Sequence, residues 1–427
     1  MEKMLETMKH RSPDGFRVFR DEKFEIGMGR LSIIDLKSDG LTLYEEGKYK
    51  LAFNGEIYNY KELKKEIGGV WRTESDTEVV LKSYIKWGVK CLDKFNGMFA
   101  IAIYDGDTVF LARDIAGEKP LYYTDKPFQF ASEAKALGFT CNELEPAHYL
   151  IYDFKTIKIK RWWNFKPTEI DRRNAEEELE WLIGDAIRLR TQADVPYGLY
   201  YSGGIDSTLL SVFHEFEHKF SYEDGDYAEE FKETFPKILW HLDYPVNHFS
   251  VFALWKLAEM ASKKVKVILS GQGADELFGG YVRYLSPALE YQAKLKYPSY
   301  GNMFTRAKSP TDLGWEEFNG NMRELLRMED RMTSAFGIEN RCPFLDRRII
   351  EFAFSLKSSE KINGFELKSI LRRILRKRKP DYVDFEKVGL YANVNKWIGS
   401  SDGYGKKDYL NLQYKIYETF SCNPSLP

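Results

Sequence analysis

The chain has 427 residues, which is long enough for two domains that each bury a sizeable core. Hydrophobic residues make up 43% of it and charged residues 30%, the balance of an ordinary soluble globular protein. Because 63 Lys and Arg residues stand against 65 Asp and Glu, the net charge of −2 gives no general attraction to nucleic acid or membranes.

The cysteines and the apolar segments predict a location in the reducing cytoplasm. No apolar run is long enough to span a bilayer, and no signal peptide precedes Met1. The four cysteines lie far apart and form no Cys-x-x-Cys pair, so we expect free thiols and neither disulfides nor a zinc site. They are Cys91, Cys141, Cys342 and Cys422.

The first part of the chain, from Phe16 to about Phe139, consists of short apolar or alternating runs separated by turns. These runs predict strands, of which the clearest are 30–35, 49–53, 98–104 and 109–113. Two helical patterns interrupt them, at 60–67 and 77–87. Many strands with few helices predict two packed sheets with helices outside.

Polar residues fall between these strands in a recognisable order. They are His10 to Gly15, Arg30 to Ile33, Asn54 to Asn59, Ser75 to Glu78, and Arg113 with Asp114. In this order they resemble the class II glutamine amidotransferase domain, which implies an Ntn-hydrolase-like sandwich of two sheets with flanking helices. We place this domain at residues 1–165.

The resemblance implies a role for each of these polar residues in binding glutamine. Arg30 would hold the α-carboxylate of glutamine and Asp76 its α-amine, while Asn54 and Gly55 would form the oxyanion hole. Glu56 and Asn59 would line the pocket. The residue types suit these roles, because a guanidinium binds a carboxylate through two parallel hydrogen bonds and amide donors stabilise an oxyanion.

The nucleophile of that family is absent from the sequence. The family uses a cysteine at position 2 whose own α-amine acts as base, whereas this chain opens Met1-Glu2-Lys3 and carries Ser12 where the motif has glycine. We therefore expect no glutamine hydrolysis by the family route. Either the domain is a retained scaffold, or an upstream start codon was missed and the protein is longer.

A helix beginning at Asn174 and a buried strand at 195–199 lead into Tyr200-Tyr-Ser-Gly-Gly-Ile-Asp-Ser-Thr208. A strand that turns through glycines into a helix presents backbone N–H groups and the positive end of the helix dipole to an anion. Asp206 would repel a phosphate unless a cation lay between them, so the turn predicts a pyrophosphate site with Mg²⁺. Residues 202–207 also match the SGGxDS loop of the N-type ATP pyrophosphatases.

A second turn of the same kind follows a strand at 265–269, after another predicted strand at 218–222. It runs Ser270-Gly-Gln-Gly-Ala-Asp-Glu276. Turns at the carboxyl ends of parallel strands meet at the ligand crevice of a doubly wound α/β sheet. Asp206 and Asp275 are therefore predicted to hold Mg²⁺ together.

Together with the acid- and arginine-rich stretch 330–346, Lys368, Arg372 and Lys387, these turns resemble the synthetase domain of asparagine synthetase. We place this domain, a doubly wound parallel sheet with added helices, at residues 166–427. The resemblance implies that ATP is bound by residues of both turns and the strand between them. These residues are Tyr201, Ser202, Gly203, Gly204, Asp206, Ser207, Tyr222, Ser270 and Gly271.

The catalytic assignments are Glu339, Lys387 and Gln272. Lys387 would balance the charge of departing pyrophosphate, and Glu339 would take a proton from the attacking nitrogen or orient the group that does so. Alternatively, Glu339 forms a core salt bridge with Arg331 or Arg341. Gln272 replaces a glutamate that the family places near the acyl group, and an amide can hydrogen-bond but cannot take a proton.

Three readings of function remain open. The first is an AMP-forming ligase that makes asparagine from aspartate, ATP and free ammonia with Mg²⁺. The second is a ligase or cyclase of the same class acting on another carboxylate, as β-lactam synthetases and lasso-peptide cyclases do, and the third is a non-catalytic scaffold. As a scaffold it would serve as a binding or regulatory partner. For the enzyme we expect small-molecule substrates, namely aspartate or a related carboxylate and ammonia, with glutamine as a further candidate and with neither nucleic acid nor membrane, and we allow for a homodimer.

Overall fold

The structure is a computed structural model that describes residues 1–37, 43–223, 225–285, 309–383, 393–398 and 406–422. Lys387 and the stretch around it lie outside the described residues. Within the described part of the chain, none of the helices has the combination of length and apolar character needed to cross a bilayer.

The first half is built on an antiparallel sheet of six strands with the order β11-β10-β6-β5-β4-β3. A three-stranded sheet, β8-β7-β9, and a β1-β2 hairpin form a second layer over one of its faces. The strands are β1 Phe16–Arg20, β2 Glu25–Gly29, β3 Tyr44–Glu46, β4 Tyr49–Ile57, β5 Gly97–Tyr104, β6 Val109–Arg113, β7 Tyr122–Asp125, β8 Phe128–Ala131, β9 Asn142–Glu143, β10 His148–Tyr152 and β11 Ile157–Arg161.

Alternation along the central strands explains the two layers. Ala100, Ala102 and Tyr104 on β5 pack toward the small sheets, whereas Phe99, Ile101 and Ile103 face a second core. Helices α2, Tyr60–Ile67, and α3, Asp76–Trp87, cover that second face, and α1, Glu2–Thr7, lies at the edge of β2. The predicted packed sheets with outer helices are confirmed.

The strand predicted at 30–35 is wrong, because β2 ends at Gly29. Side chains make hydrogen bonds with backbone groups of this stretch that would otherwise pair with a neighbouring strand. The Asp14 carboxylate accepts a hydrogen bond from the Ser32 amide at 2.7 Å, and the Arg30 guanidinium donates to the Asp35 carbonyl at 2.7 Å. Asp35 itself has a φ of 57°, which a strand does not permit.

The second half is built on a parallel sheet with the order β13-β12-β14-β15, as predicted. Its strands are β12 Tyr197–Tyr200, β13 His218–Phe220, β14 Val267–Leu269 and β15 Glu339–Arg341. The order reverses between β13 and β14, which both lie beside β12. This is the topology that creates a crevice at the carboxyl ends of the strands.

Helices cover both faces of this sheet. Leu199, Val267 and Leu269 pack with α4 and α5, whereas Ile268 and Ile338 pack with α7. The helices are α4 Ala175–Arg190, α5 Ile205–Phe213, α6 Ala228–Leu242, α7 Val251–Ser262, α8 Ala274–Phe278, α9 Pro310–Asn319, α10 Asn321–Ser334, α11 Arg347–Ser355, α12 Ser358–Lys361, α13 Ser369–Arg378, α14 Val394–Trp397 and α15 Lys406–Cys422. Between β13 and β14 the described residues form two helices, α6 and α7, and no strand.

Candidate active site

The first turn connects β12 to α5 and is shaped by its own hydroxyl groups. Gly203 has a φ of 74°, and a Cβ there would meet nothing within 4 Å, so this corner is open to solvent. The Ser202 and Ser207 hydroxyls lie 3.2 Å apart, and the Ser202 hydroxyl accepts from the Gly204 amide at 3.3 Å. The turn therefore enters a nine-residue helix with hydroxyl and amide groups gathered at its positive end.

The second turn connects β14 to α8 and lies directly against the first. A Cβ on Gly271 would come within 2.8 Å of the Asp206 Cβ, so only glycine permits this approach. Gly273 has a φ of 90° and redirects the chain into α8, which carries Asp275 in its first turn. Each strand thus delivers one aspartate to the same crevice.

A single lysine joins these two aspartates. The Lys368 ammonium lies 2.7 Å from both carboxylate oxygens of Asp206 and 2.6 Å from Oδ1 of Asp275. Its side chain is only 4% exposed, so the ion pairs are largely shielded from water. The two predicted acids therefore share one positively charged partner.

The backbone at two positions places the Lys368 ammonium in the crevice. Lys368 precedes α13 in the left-handed conformation, with φ 53°, which turns the chain toward the sheet. Gly280 lies on the other side, where a Cβ would be 1.9 Å from Asp275 Oδ1 and 2.2 Å from Lys368 Cε. The sequence predicts Lys368 and Arg372 on a helix, but only Arg372 lies on α13, and no pattern in one sequence signals the contact of Lys368.

The residues of the crevice fit a magnesium ion. Mg²⁺ is commonly held by one or two carboxylates together with water and phosphate oxygens, and the Lys368 ammonium already marks a place between two carboxylates where positive charge is favoured. Within the described ranges, no cluster of three or more His, Cys, Asp or Glu side chains could hold a metal by itself. A cation here would need ligands from a bound phosphate.

The other predicted ATP residues lie at the carboxyl ends of neighbouring strands. Tyr201 follows β12 and donates its amide hydrogen bond to Phe220 on β13 at 2.8 Å. Tyr222 follows β13 and packs against Tyr227 at 6.1 Å between ring centroids. Ser270 begins the second turn, where Gln272 is half-buried. Tyr201, Tyr222 and Ser270 thus follow three neighbouring strands.

Glu339 lies apart from these turns. It pairs with Val267 in the sheet register, whereas the residue that pairs with the last residue of β14 is Arg341. The Glu339 carboxylate lies 2.9 Å from Nε of Arg341 and 3.6 Å from the Lys119 ammonium. The structure thus forms the salt bridge to Arg341 that the sequence left open, and it does not bring Glu339 to the acid pair.

A cavity of about 200 Å³ separates the first half from the amino end of β15. Its lining includes five of the six residues assigned to glutamine, together with Glu339 and apolar side chains of α1. The five are Arg30, Asn54, Gly55, Glu56 and Asp76. The sixth, Asn59, instead donates to the Lys94 carbonyl at 2.9 Å and accepts from the Asn96 amide at 3.0 Å.

The acids of this cavity are buried and strongly perturbed. Burial raises the pKa of Asp76 to about 6, although the Ile57 amide donates to its carboxylate at 2.8 Å. Burial also raises the pKa of Glu56 well above its ordinary value, and Asp76 adds to this shift. The amide nitrogen of Asn54 is buried with no hydrogen-bond partner. The cavity therefore offers a polar site that is not fully satisfied by the protein.

Comparison with known proteins yields two family matches and a set of relatives. The family model described as a glutamine amidotransferase domain matches residues 1–150, and the model described as asparagine synthase matches 178–219 and 217–401. Asparagine synthetase (glutamine-hydrolyzing) 1 of Bacillus subtilis is 28% identical over 96% of this chain and 88% of its own length. A putative asparagine synthetase (glutamine-hydrolyzing) 2 of Methanocaldococcus jannaschii is 33% identical over 66% and 73%.

Among solved structures, the glutamine phosphoribosylpyrophosphate amidotransferase of B. subtilis, complexed with ADP and GMP, has a TM-score of 0.32 and 17% identity. The similarity covers 47% of this chain and 57% of that one. A likeness at this level supports no inference about function.

Proposed function

Because the chain belongs to the asparagine synthetase family and is therefore an ATP-dependent carbon–nitrogen ligase, we propose that it converts aspartate to asparagine with ammonia. The observation that supports this most directly is the pair of aspartates joined by Lys368 at the ends of adjacent parallel strands. A purely structural role does not require two acids and a lysine gathered at a glycine-lined crevice.

The chemistry begins with activation of a carboxylate. Its oxygen attacks the α-phosphorus of ATP, forming an acyl-adenylate while pyrophosphate departs. The amides and hydroxyls of the first turn bind the phosphates at the positive end of α5. Lys368 balances the charge that develops on the leaving pyrophosphate, because a shielded ammonium acts strongly on a nearby phosphate.

Mg²⁺, held by Asp206 and Asp275, would neutralise phosphate charge when it is bound. The contacts of these two acids support the assignment, since both carboxylates already face one cation. Lys387 stays a prediction as a second phosphate-binding lysine, which substitution by methionine would test.

In the second step, ammonia attacks the acyl carbon, AMP leaves with the electrons of the C–O bond, and the nitrogen passes one proton to water. Gln272 lies in the second turn and is suited to hydrogen-bond near the acyl group. We assign Glu339 a positioning role through Arg341, whose guanidinium also lies 3.0 Å from Glu56 Oε2 in the cavity. The sequence suggested two roles for Glu339, taking the proton or orienting another group, and this is the second of them.

We also propose that this polypeptide uses free ammonia and does not hydrolyse glutamine. The support is that no cysteine is found among the described residues that line the glutamine-type cavity. Arg30, Asn54 and Asp76 then remain as a binding site without a nucleophile. Glutamine-driven turnover of the purified chain would contradict this part of the proposal.

An assay of pyrophosphate release tests the main proposal. Purified protein with ATP, Mg²⁺ and ammonia should release pyrophosphate in an aspartate-dependent manner, with one asparagine formed for each AMP. Release that depends on a different carboxylate would favour the second reading, for which Gln272 is the motivating residue. Absence of release with every carboxylate tested would overturn the ligase proposal for this polypeptide.

The remaining proposals concern organisation and location. We retain a domain boundary near residue 165, a homodimer, and action in the cytoplasm. The described thiols of Cys91, Cys141 and Cys342 are unpaired, which supports a reducing compartment. A solution mass of a single chain, 50.0 kDa, in sedimentation would contradict the dimer.

A further inference from the structure

A buried polar cluster lies beneath the second turn, on the face of the sheet that α7 and α10 cover. It consists of Glu329 from α10, Tyr200 at the end of β12, Ser270 at the start of the turn, and Asn340 and Cys342 at the end of β15. Each of these five side chains is less than a tenth exposed. The cluster is not part of the acid pair or of the glutamine-type cavity.

The hydrogen bonding of the cluster is incomplete. Oε2 of Glu329, Oδ1 of Asn340 and the Tyr200 hydroxyl are all buried without a partner. The Asn340 amide donates to the Cys342 sulfur at 3.3 Å, and the Ser270 hydroxyl lies 3.6 Å from the same sulfur. Because buried polar groups without partners are costly, the arrangement favours any state in which a proton joins two acceptors.

Glu329 is the group of this cluster that titrates near neutrality. Burial raises its pKa to about 7, while the neighbouring Ser270 hydroxyl and Asn340 amide oppose the shift. Burial raises the pKa of Tyr200 and of Cys342 well above their ordinary values, and Glu329 adds to both shifts, so these two groups stay neutral. The α7 residues on this face, Leu257, Ala258 and Ala261, are apolar.

Ion pairs of the two residues that follow Glu329 fix its position. The neighbouring Asp330 accepts two hydrogen bonds from the Arg11 guanidinium, both at 2.9 Å. The next residue, Arg331, lies 2.9 Å from Oδ2 of Asp243. Since α10 is held by the residues that follow Glu329, the carboxyl stays beneath the turn and does not swing into solvent.

We propose that Glu329 is a positioning residue for the nucleotide, which acts through the Ser270 hydroxyl and makes ATP binding depend on its own protonation. An ionised Glu329 accepts a hydrogen bond from the Ser270 hydroxyl and so directs that hydroxyl into the core. A protonated Glu329 instead donates to the free Oδ1 of Asn340, which releases the Ser270 hydroxyl to donate to a nucleotide in the crevice. This inference rests on the proposed ATP site.

The test measures ATP binding by calorimetry, with Mg²⁺ present, at about pH 6 and about pH 8. Binding to Glu329→Gln should match the wild type at the lower pH and exceed it about fivefold at the higher pH, the worth of one hydrogen bond. This comparison cancels the titration of ATP itself, because both proteins bind the same nucleotide. Ser270→Ala should also bind ATP equally at the two pH values, but with the weaker affinity that the wild type shows at the higher pH.

The control is Glu74→Gln, which removes a carboxylate of the first half that is 88% exposed. It should retain the wild-type pH profile. The inference is overturned if Glu329→Gln and wild type show the same ratio of affinities at the two pH values. Failure of every variant and the wild type to bind ATP would overturn the proposed ATP site as well, so the two failures are distinguishable.

Discussion

One closely packed lysine, Lys368, holds the two acids of the crevice. Lys368 is buried, and its ammonium contacts three carboxylate oxygens of Asp206 and Asp275. Gly280 leaves no space for a Cβ beside this group. At the scale of single residues, the crevice therefore depends on the charge of Lys368 and on the absence of a side chain at position 280.

Replacing Asp206 by alanine should lower pyrophosphate release by about 100-fold or more, since it removes a preorganised charge from the reacting site. The melting temperature should change little, because Lys368 keeps its ion pair with Asp275. Activity assays and thermal unfolding check the two expectations. Asp381→Ala, at a carboxylate that is 81% exposed, is the matched control and should behave as wild type. Near-normal turnover of Asp206→Ala would remove the metal assignment.

Replacing Gly280 by alanine should disable the crevice without unfolding the protein. The new methyl group would fall 1.9 Å from Asp275 Oδ1 and 2.2 Å from Lys368 Cε, so the ion pair must open. We expect at least a tenfold rise in the KM for ATP, measured by pyrophosphate release. Gly184→Ala on α4 is the control, since its Cβ would make an ordinary contact at 3.4 Å with Phe213. Equal activity of both variants would contradict the argument.

At the scale of elements, periodicity predicted the pieces that local patterns determine. The helix at 60–67 and the strand at 109–113 have the predicted bounds, and both glycine turns follow parallel strands as expected. The stretch 30–35 failed because its alternating pattern says nothing about the side chains of Asp14 and Arg30, which bind its backbone.

The sequence predicted less of the candidate site than of the fold. Neighbouring strand ends brought Asp206 and Asp275 together as the motifs indicated, but Lys368 reaches them from 90 or more residues away through a left-handed turn. That conformation has no signature at a lysine. Glu339 was assigned by motif alone, and the sheet register, which only the fold supplies, places it on the side of the cavity.

Asp346 begins α11 and joins three elements. Its carboxylate accepts hydrogen bonds from Arg190 on α4 at 3.0 Å, from Arg348 at 2.9 Å, and from Asn96 of the first half at 2.9 Å. Although burial opposes it, the charge of Arg190 holds the pKa of Asp346 well below its ordinary value of 3.8. The folded state therefore depends on the ionised form.

Replacing Asp346 by asparagine should lower the free energy of unfolding by about 3 to 5 kcal/mol, because Arg190 would stay buried without its partner. Urea denaturation measures this change. Since the folded pKa is lowered, the wild-type contribution is fully present above pH 3.8 and is lost as the pH falls through the folded value. The difference between variant and wild type should accordingly shrink in acid, and an unchanged difference would contradict the assignment.

At the scale of the whole molecule, buried ion pairs join the two halves. Arg341 of β15 binds Glu56 of β4, Asp330 of α10 binds Arg11, and Arg331 lies 2.8 Å from Glu133. Removing one partner of a buried pair leaves an uncompensated charge, which is strongly destabilising. The halves are distinct in topology and still depend on each other for charge neutrality.

We therefore expect that residues 1–165 expressed alone will not fold cooperatively, because buried Glu56 loses Arg341 and Arg11 loses Asp330. Circular dichroism during heating should show no sharp transition, whereas co-expression with residues 166–427 should restore one. A soluble first half with a sharp transition of its own would show that these ion pairs are dispensable. A weaker outcome, folding only at low pH, would still agree with the argument, since protonation removes the unpaired charge.

The lysine between the two aspartates also bears on the order in which ligands arrive. A bare divalent ion meets two acids whose charge one ammonium already compensates in part, so it must displace that ammonium without offering it another anion. An ion that arrives with a nucleotide brings phosphates to which the displaced ammonium can turn. We therefore expect the resting crevice to bind Mg²⁺ weakly by itself and to take it up together with ATP.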